Sequence, residues 1–243
     1  HYAESIGQTR QTMEREFCDI SENQKGELRV GIGYTRGRTI MPRLIPAFQR
    51  QYPNVEIMLR ECSNDAIQKA LLSGGIDLAI AAYPKAPPSI ELADYYTEHT
   101  VLCLVDSLLV QCQIDLDVRR NEIAAGDLHS LRDCPFVLGS AADIGGRIGR
   151  ELLRASGISP ISKATSENVE TLLALCVQGV GACFCPENLL QTALSPEQLA
   201  QLHILPLCPS ASYPICFGYL RRSYPWSVLS EFIRIAREQI RSV

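Results

Sequence analysis

Apolar residues return along this chain in two rhythms, one helical and one strand-like. Residues 3–24 place Ile6, Met13, Phe17 and Ile20 on one stripe among Gln, Arg and Glu, which predicts an amphipathic helix ended by Gly26. Residues 27–32 read as a strand. A polar, glycine-bearing corner over residues 33–37 follows, and Ile40, Met41, Leu44, Ile45 and Phe48 then recur at helical spacing. Pro42 suits a first turn, whereas Pro46 should break or kink that helix. Residues 55–59 predict a strand, Cys62 to Asp65 a polar corner, and Ala66, Ile67, Ala70 and Leu71 a helix stopped by Ser73-Gly-Gly. Residues 76–82 read as a buried strand. Strand, helix, strand, helix, strand is the pattern of a parallel sheet with covering helices.

The segment 90–110 reads as strand-rich, and a second series begins after it. Residues 135–138 predict a strand and 139–143 its corner. A helix over 144–156 is ended by Gly157. Another over 166–178 keeps Val169, Leu172, Leu173 and Cys176 on one side. Strands are expected at 182–185 and 213–220, and a closing helix over 226–241 carries Leu229, Phe232, Ile233, Ala236 and Ile240. The whole reads as two small α/β lobes, the first completed by the C-terminal strand and helix.

Composition narrows the class. A chain of 243 residues is comfortable for two lobes. With 46% hydrophobic and 21% charged residues, collagen, a coiled-coil rod and a disordered tail are excluded. No apolar run approaches the roughly 20 residues of a membrane span, and residues 1–26 hold no apolar signal core. A net charge of −4 argues against the chain gripping a nucleic-acid backbone by itself. Arg221, Arg222, Arg234, Arg237 and Arg241 near the closing helix read as a solvated face. None of the ten cysteines forms C-x-x-C, so neither a zinc knuckle nor a thioredoxin-type pair is signalled, and no metal site is expected. Most sit in apolar runs, as small buried hydrophobes would in a reducing cytosol. Cys183 and Cys185 lie two apart in a strand, so they share a face with Cα atoms about 6.6 Å apart.

Motifs for catalysis are missing from the sequence: there is no G-x-S-x-G elbow, P-loop or H-E-x-x-H. Gly31-Ile-Gly33 would need its third fingerprint glycine at Arg36, so a dinucleotide site is discounted and no cofactor is expected. Asp143-Ile-Gly-Gly-Arg147 is glycine-rich at a helix start; it could cradle an anion, and a plain turn accounts for it as well. What remains is positional. Tyr34, Thr35 and Arg36, then Ser63 and Asn64, then Gly139, Ser140 and Ala141, and finally Glu167 and Asn168 fall at strand carboxyl ends and helix amino ends. Open α/β folds bind ligands there, and helix amino ends suit small anions. For any single Ser or Asn, capping its own helix is an equal explanation.

These residues carry a family resemblance. Gly26-Glu-Leu-Arg-Val-Gly31, Tyr34-Thr-Arg-Gly-Arg-Thr-Ile-Met-Pro42, Arg43-Leu-Ile-Pro-Ala-Phe48, Tyr52-Pro, Ala70-Leu-Leu-Ser-Gly-Gly-Ile-Asp-Leu-Ala-Ile80, and residues 170–181 with Pro186-Glu187 resemble the effector-binding region of LysR-type transcriptional regulators. The resemblance spans most of residues 26–240 and accounts for Pro46, a proline usual in that family's first regulatory helix. It implies an α/β fold of two Rossmann-like lobes joined by crossover strands, like type 2 periplasmic binding proteins. Residues 1–25 would be a remnant of the linker helix. Residues 26–98 with 216–243 would form the first lobe, and 99–215 the second. A small polar or anionic metabolite would lie between them, touching Tyr34, Thr35, Arg36, Ser63, Asn64, Gly139, Ser140, Ala141, Asn168 and Phe184. Further implications are a homodimer built on the helices at 40–51 and 169–178, a homotetramer at full length, and promoter DNA bound only through an N-terminal winged helix-turn-helix that is absent here. The expected setting is the cytoplasm. An enzyme lacks a nucleophile–base constellation. A transporter's solute-binding protein is the alternative, opposed by the missing signal peptide, the ten cysteines and the N-terminal helix.

Overall fold

The computed structural model describes residues 26–83, 85, 87–141, 143–221 and 226–241; the helix expected over 3–24 lies outside them. In chain order the elements are β1 (Gly26–Ile32), α1 (Tyr34–Gln49), β2 (Val55–Glu61), α2 (Asn64–Leu72), β3 (Leu78–Ala81), β4 (Ile90–Val105), α3 (Asp106–Cys112), α4 (Leu116–Ala124), β5 (Pro135–Gly139), α5 (Ile144–Ala155), β6 (Ile161–Ser166), α6 (Val169–Val177), β7 (Cys183–Pro186), β8 (Leu202–Pro206), β9 (Ser212–Leu220) and α7 (Ser227–Arg241), with short helical turns between. They divide into two compact units. Thr97–Tyr213 makes the second; the chain up to Tyr96 and from Pro214 onward makes the first. Both passages fall in or at strands, within β4 and just after the start of β9. The divisions expected after residues 98 and 215 lie two residues further along the chain than these.

The first unit is a sheet in the order β2-β1-β3-β9. β1 runs parallel to β2, from Gly26 opposite Val55 to Ile32 opposite Glu61, and parallel to β3. β9 pairs antiparallel with β3, placing Phe217 opposite Ile80. Leu28, Val30, Ile32, Leu78 and Ile80 are fully buried, as strands covered on both faces should be. α1 buries Met41, Leu44, Ala47 and Phe48, and the Phe48 ring meets Phe232 of α7 edge-on at 5.2 Å. α2 buries Ile67, Ala70 and Leu71 in a separate cluster with Ile76, Ala79 and Ala81. One ionic lock joins β1 to the approach of β3. The Arg29 guanidinium donates to both Asp77 carboxylate oxygens, at 3.1 and 2.9 Å, and the Arg29 amide donates to the same group. Asp77 is 4% exposed, so loss of Arg29 would take the ion-pair partner from a buried charge, at a cost of about 3–5 kcal/mol.

In the second unit β4 is flanked by β7 and β8, both antiparallel to it. β5 and β6 form a parallel pair, and a bridge from Phe136 to Ala182 ties β5 to the residues that open β7. Leu102, Leu104, Phe136, Val137, Leu153, Leu172 and Leu173 are fully buried.

Four expectations change. The corner over residues 33–37 is already helix from Tyr34, so Arg36 sits in a first turn. Pro46 does not break α1. Both prolines lie on its exposed side, where the carbonyls that lose their amide partners stay open to water, while Met41, Leu44 and Phe48 hold the opposite side in the core. The strand expected to reach residue 110 stops at Val105: Asp106 opens α3, and Gln113 closes it in a left-handed conformation, φ 54°. The helix expected from residue 166 begins only at Val169, because Asn168 caps it and 161–166 form β6.

Candidate functional site

Polar residues gather at two corners, one in each unit. In the first unit β1 and β2 end side by side, and the Cys62 amide donates to the Ile32 carbonyl at 3.1 Å, extending their pairing. α1 and α2 both start at this edge. Ser63 caps α2, its hydroxyl accepting from the Ala66 amide at 3.4 Å, and Asp65 adds an acid to the first turn. α1 differs. Its N-cap is Gly33, with no side-chain cap and no acid in the first turn. Arg36 is only 7% exposed, and its guanidinium donates to the Asn64 side-chain oxygen at 3.4 Å. Thr35 is half-buried beside it, Tyr34 is well exposed, and the Glu61 side chain lies against Gly37. A helix amino end carries a positive field, to which a guanidinium adds a full charge.

In the second unit β5 and β6 end together at Gly139 and Ser166, and α5 and α6 begin beyond them. Asp143 caps α5 by accepting from the Gly146 amide at 3.1 Å. The glycine-rich start that could have cradled an external anion is therefore filled by its own carboxylate. Gly146 answers to packing as well: a Cβ there would stand 2.2 Å from the Ser140 carbonyl oxygen. Asn168 is exposed and caps α6 through the Glu170 amide at 2.9 Å. Gly139 and Ser140 are half-buried and Ala141 is exposed. Phe184 is 5% exposed, parallel to Phe136 with ring centroids 6.0 Å apart, and its ring lies where a Cβ on residue 149 would be.

The fold thus joins Arg36 directly to Asn64 and assembles Tyr34, Thr35 and Ser63 around them. In the other unit it assembles Gly139, Ser140, Ala141 and Asn168, with Phe184 committed to the core. Sequence reasoning passed over Arg150. Its guanidinium donates to the Gly139 carbonyl at 3.0 Å, and its Nε is buried without a partner. The available signal was spacing: Arg150 stands three residues after Arg147, one turn into α5. A cleft of about 560 Å³ along α3 and α4, lined by Val110, Ile114, Asp117 and His203 among others, includes none of these residues.

The cysteines form a separate pattern. The nine described are all free thiols, six of them buried, and Cys18 lies outside the described residues. Cys103, Cys183 and Cys185 place their sulfurs within 4.8 Å of one another, a cluster that could hold a metal ion although no C-x-x-C announces it. Hydrogen bonds with Cys103 push the Cys183 and Cys185 thiols up, and burial adds to this; the same contacts hold Cys103 down. Burial also pushes Cys134 up to about 12.

Comparison with known proteins agrees with this architecture. The family model described as the LysR substrate binding domain matches residues 21–241. A Bacillus subtilis protein described as an uncharacterized HTH-type transcriptional regulator, YcgK, is 24% identical over 98% of this chain and 75% of its own length. The Escherichia coli HTH-type transcriptional regulator IlvY is 25% identical over 78% of this chain and 60% of its own. The chain spans between 50% and 75% of the length of the curated relatives it matches first. Among solved structures, the reduced regulatory domain of OxyR2 from Vibrio vulnificus has a TM-score of 0.70 at 16% identity, covering 88% of this chain and 96% of that one. The C-terminal domain of a probable LysR family transcriptional regulator from Rhodococcus gives 0.68 at 21%, covering 87% and 98%.

Proposed function

The chain belongs to the LysR substrate-binding domain family, and on that premise we propose that its effector is a small polar or strongly anionic metabolite, recognised by the two corners described above. It is the effector-sensing domain of a LysR-type transcriptional regulator, with the α/β fold of type 2 periplasmic binding proteins. A transporter's solute-binding protein is not favoured, since the curated relatives it matches are transcriptional regulators. The domain acts by binding and not by turnover. The observation that carries the effector class is the start of α1, where a helix amino end without a side-chain cap and the buried Arg36 guanidinium share one edge with Asn64. Thr35, Arg36, Ser63 and Asn64 supply the contacts in the first unit. Gly139, Ser140, Ala141, Asn168 and Arg150 supply them in the second, with Tyr34 at the rim and Phe184 backing the second corner.

The whole regulator would form a homodimer through the α1 and α6 surfaces, and a homotetramer at full length. It would bind promoter DNA through an N-terminal winged helix-turn-helix and work in the cytoplasm. Among the described residues no helix is long and apolar enough to cross a membrane. Arg221, Arg234 and Arg237 are engaged with Glu91, with Glu231 and Glu238, and with the Asp94 carbonyl, consistent with a surface not built for phosphates. A thermal-shift screen of the purified chain against a metabolite library would find the effector, since a ligand at 100 times its dissociation constant adds about 2.7 kcal/mol. Calorimetric titration of Thr35→Ala, Ser63→Ala and Ser140→Ala then tests the corners. The expected result is a ten- to hundredfold loss of affinity, about the worth of one charge-assisted hydrogen bond. Parental affinity in all three, with only earlier melting, would reduce these residues to helix caps and turns.

A further inference from the structure

The second unit's core contains an all-sulfur cluster that effector sensing does not use. Cys183 and Cys185 lie two apart on β7, so both side chains leave the same face. β4 runs antiparallel beside them with Cys103 opposite Cys183 and Val101 opposite Cys185. The Cys103 and Cys185 sulfurs are 3.7 Å apart, all three ligand atoms lie within 4.8 Å of one another, and all three residues are fully buried. Three sulfurs held at about 2.3 Å from one metal stand about 4 Å from each other. Sub-ångström shifts would therefore complete a three-coordinate site.

We propose that Cys103, Cys183 and Cys185 form a three-coordinate thiolate site for Cu(I). Softness selects the class: an all-sulfur donor set with no imidazole or carboxylate in the group favours a thiophilic metal. Coordination number selects within it. Structural zinc takes four ligands, whereas three sulfurs make up this group; Cys176 of α6 stands outside it and donates to the Cys103 carbonyl at 3.2 Å. On binding, each S–H bond that gives way to a Cu–S bond releases one proton to solvent, three for three thiols. The metal enters as Cu(I), so no electron is transferred. Protons compete with the metal, so affinity falls as pH falls.

The test uses the full 243-residue chain, reduced and kept without oxygen, titrated with Cu(I) against a chromogenic Cu(I) chelator. One Cu(I) per chain should be retained. X-ray absorption should show sulfur ligands only, at about 2.3 Å. Outer-shell changes alone cost about 10–100-fold in metal affinity, so Cys103→Ser, Cys183→Ser or Cys185→Ser should each cost at least about a hundredfold. A triple Cys62→Ser, Cys112→Ser, Cys208→Ser variant, which removes the partly exposed described thiols, should keep the ion. Circular dichroism checks folding; if a serine variant unfolds, Cys185→Ala and the absorption spectrum of the parent carry the test. Copper that follows the partly exposed cysteines, nitrogen or oxygen ligands in the spectrum, or retention of Zn(II) in preference to Cu(I) would each overturn the proposal.

Discussion

The starts of α1 and α5 are built on the same plan, a strand, a glycine-bearing corner and a helix, yet they are capped differently. α5 is satisfied from within: Asp143 occupies its amino end, and Gly146 lets the corner fold back to Ser140. α1 has neither cap nor acid in its first turn and buries a guanidinium in it. Glycine content alone does not tell which of these helix starts is already capped by its own carboxylate. A helix start is open to an outside ligand when its amide donors lack an internal acceptor, and this depends on the capping residue more than on the number of glycines.

Substitutions can break that contrast, and the largest effect is expected at Gly146. An alanine there pushes backbone against backbone, so Gly146→Ala should lose about 2–3 kcal/mol in a denaturant titration. Parental stability would mean that the corner is looser than described. Arg36→Gln removes the buried charge while keeping a donor for Asn64. It should weaken an anionic effector by about ten- to a hundredfold, with melting close to the parent's. Unchanged affinity in calorimetry would detach the α1 corner from recognition. Asp143→Ala uncaps α5 and should cost about 1 kcal/mol. If it also creates affinity for simple anions such as phosphate, the two corners differ only by that carboxylate. The smallest change in stability is expected for Gly33→Asp, which installs a cap on α1: a gain of roughly a few tenths of a kcal/mol, paired with weaker binding of an anionic effector. Tighter binding in that variant would point to a cationic effector instead.

Much of this was legible in the hydrophobic pattern because it reflects burial. The spacing of Leu28, Val30 and Ile32, and of Met41, Leu44 and Phe48, records which faces the core covers. Boundaries were less legible. The polar run Tyr34-Thr-Arg is helical because the first turn of α1 needs no apolar residue, and its prolines fall on the exposed side. β6 was hidden because it is an edge strand with most residues exposed, and β8 because only Leu202 and Leu205 of its five are buried. Within the candidate corners, position alone marked the Ser and Asn residues; it did not reveal that Ser63 and Asn168 cap α2 and α6, a role that leaves their contact with an effector to titration. Arg150 escaped notice because its partner is a backbone carbonyl, which leaves no trace in residue type. The sulfur cluster escaped because its ligands come from strands some eighty residues apart in the chain.

The first unit is not continuous in the chain: β9 and α7 reach it only after all of Thr97–Tyr213 has been made. During synthesis β3 must therefore wait with one edge unpaired and Phe48 without Phe232, while the second unit, whose chain is unbroken, can finish. At about 5–20 residues per second the wait is on the order of ten seconds. Over that time a nascent chain on the ribosome presents an open, apolar sheet edge, the kind of surface that chaperones shield and that seeds aggregation in overexpressing cells. A ribosome stall or frameshift soon after Tyr213 would leave the second unit intact and a first unit that cannot close.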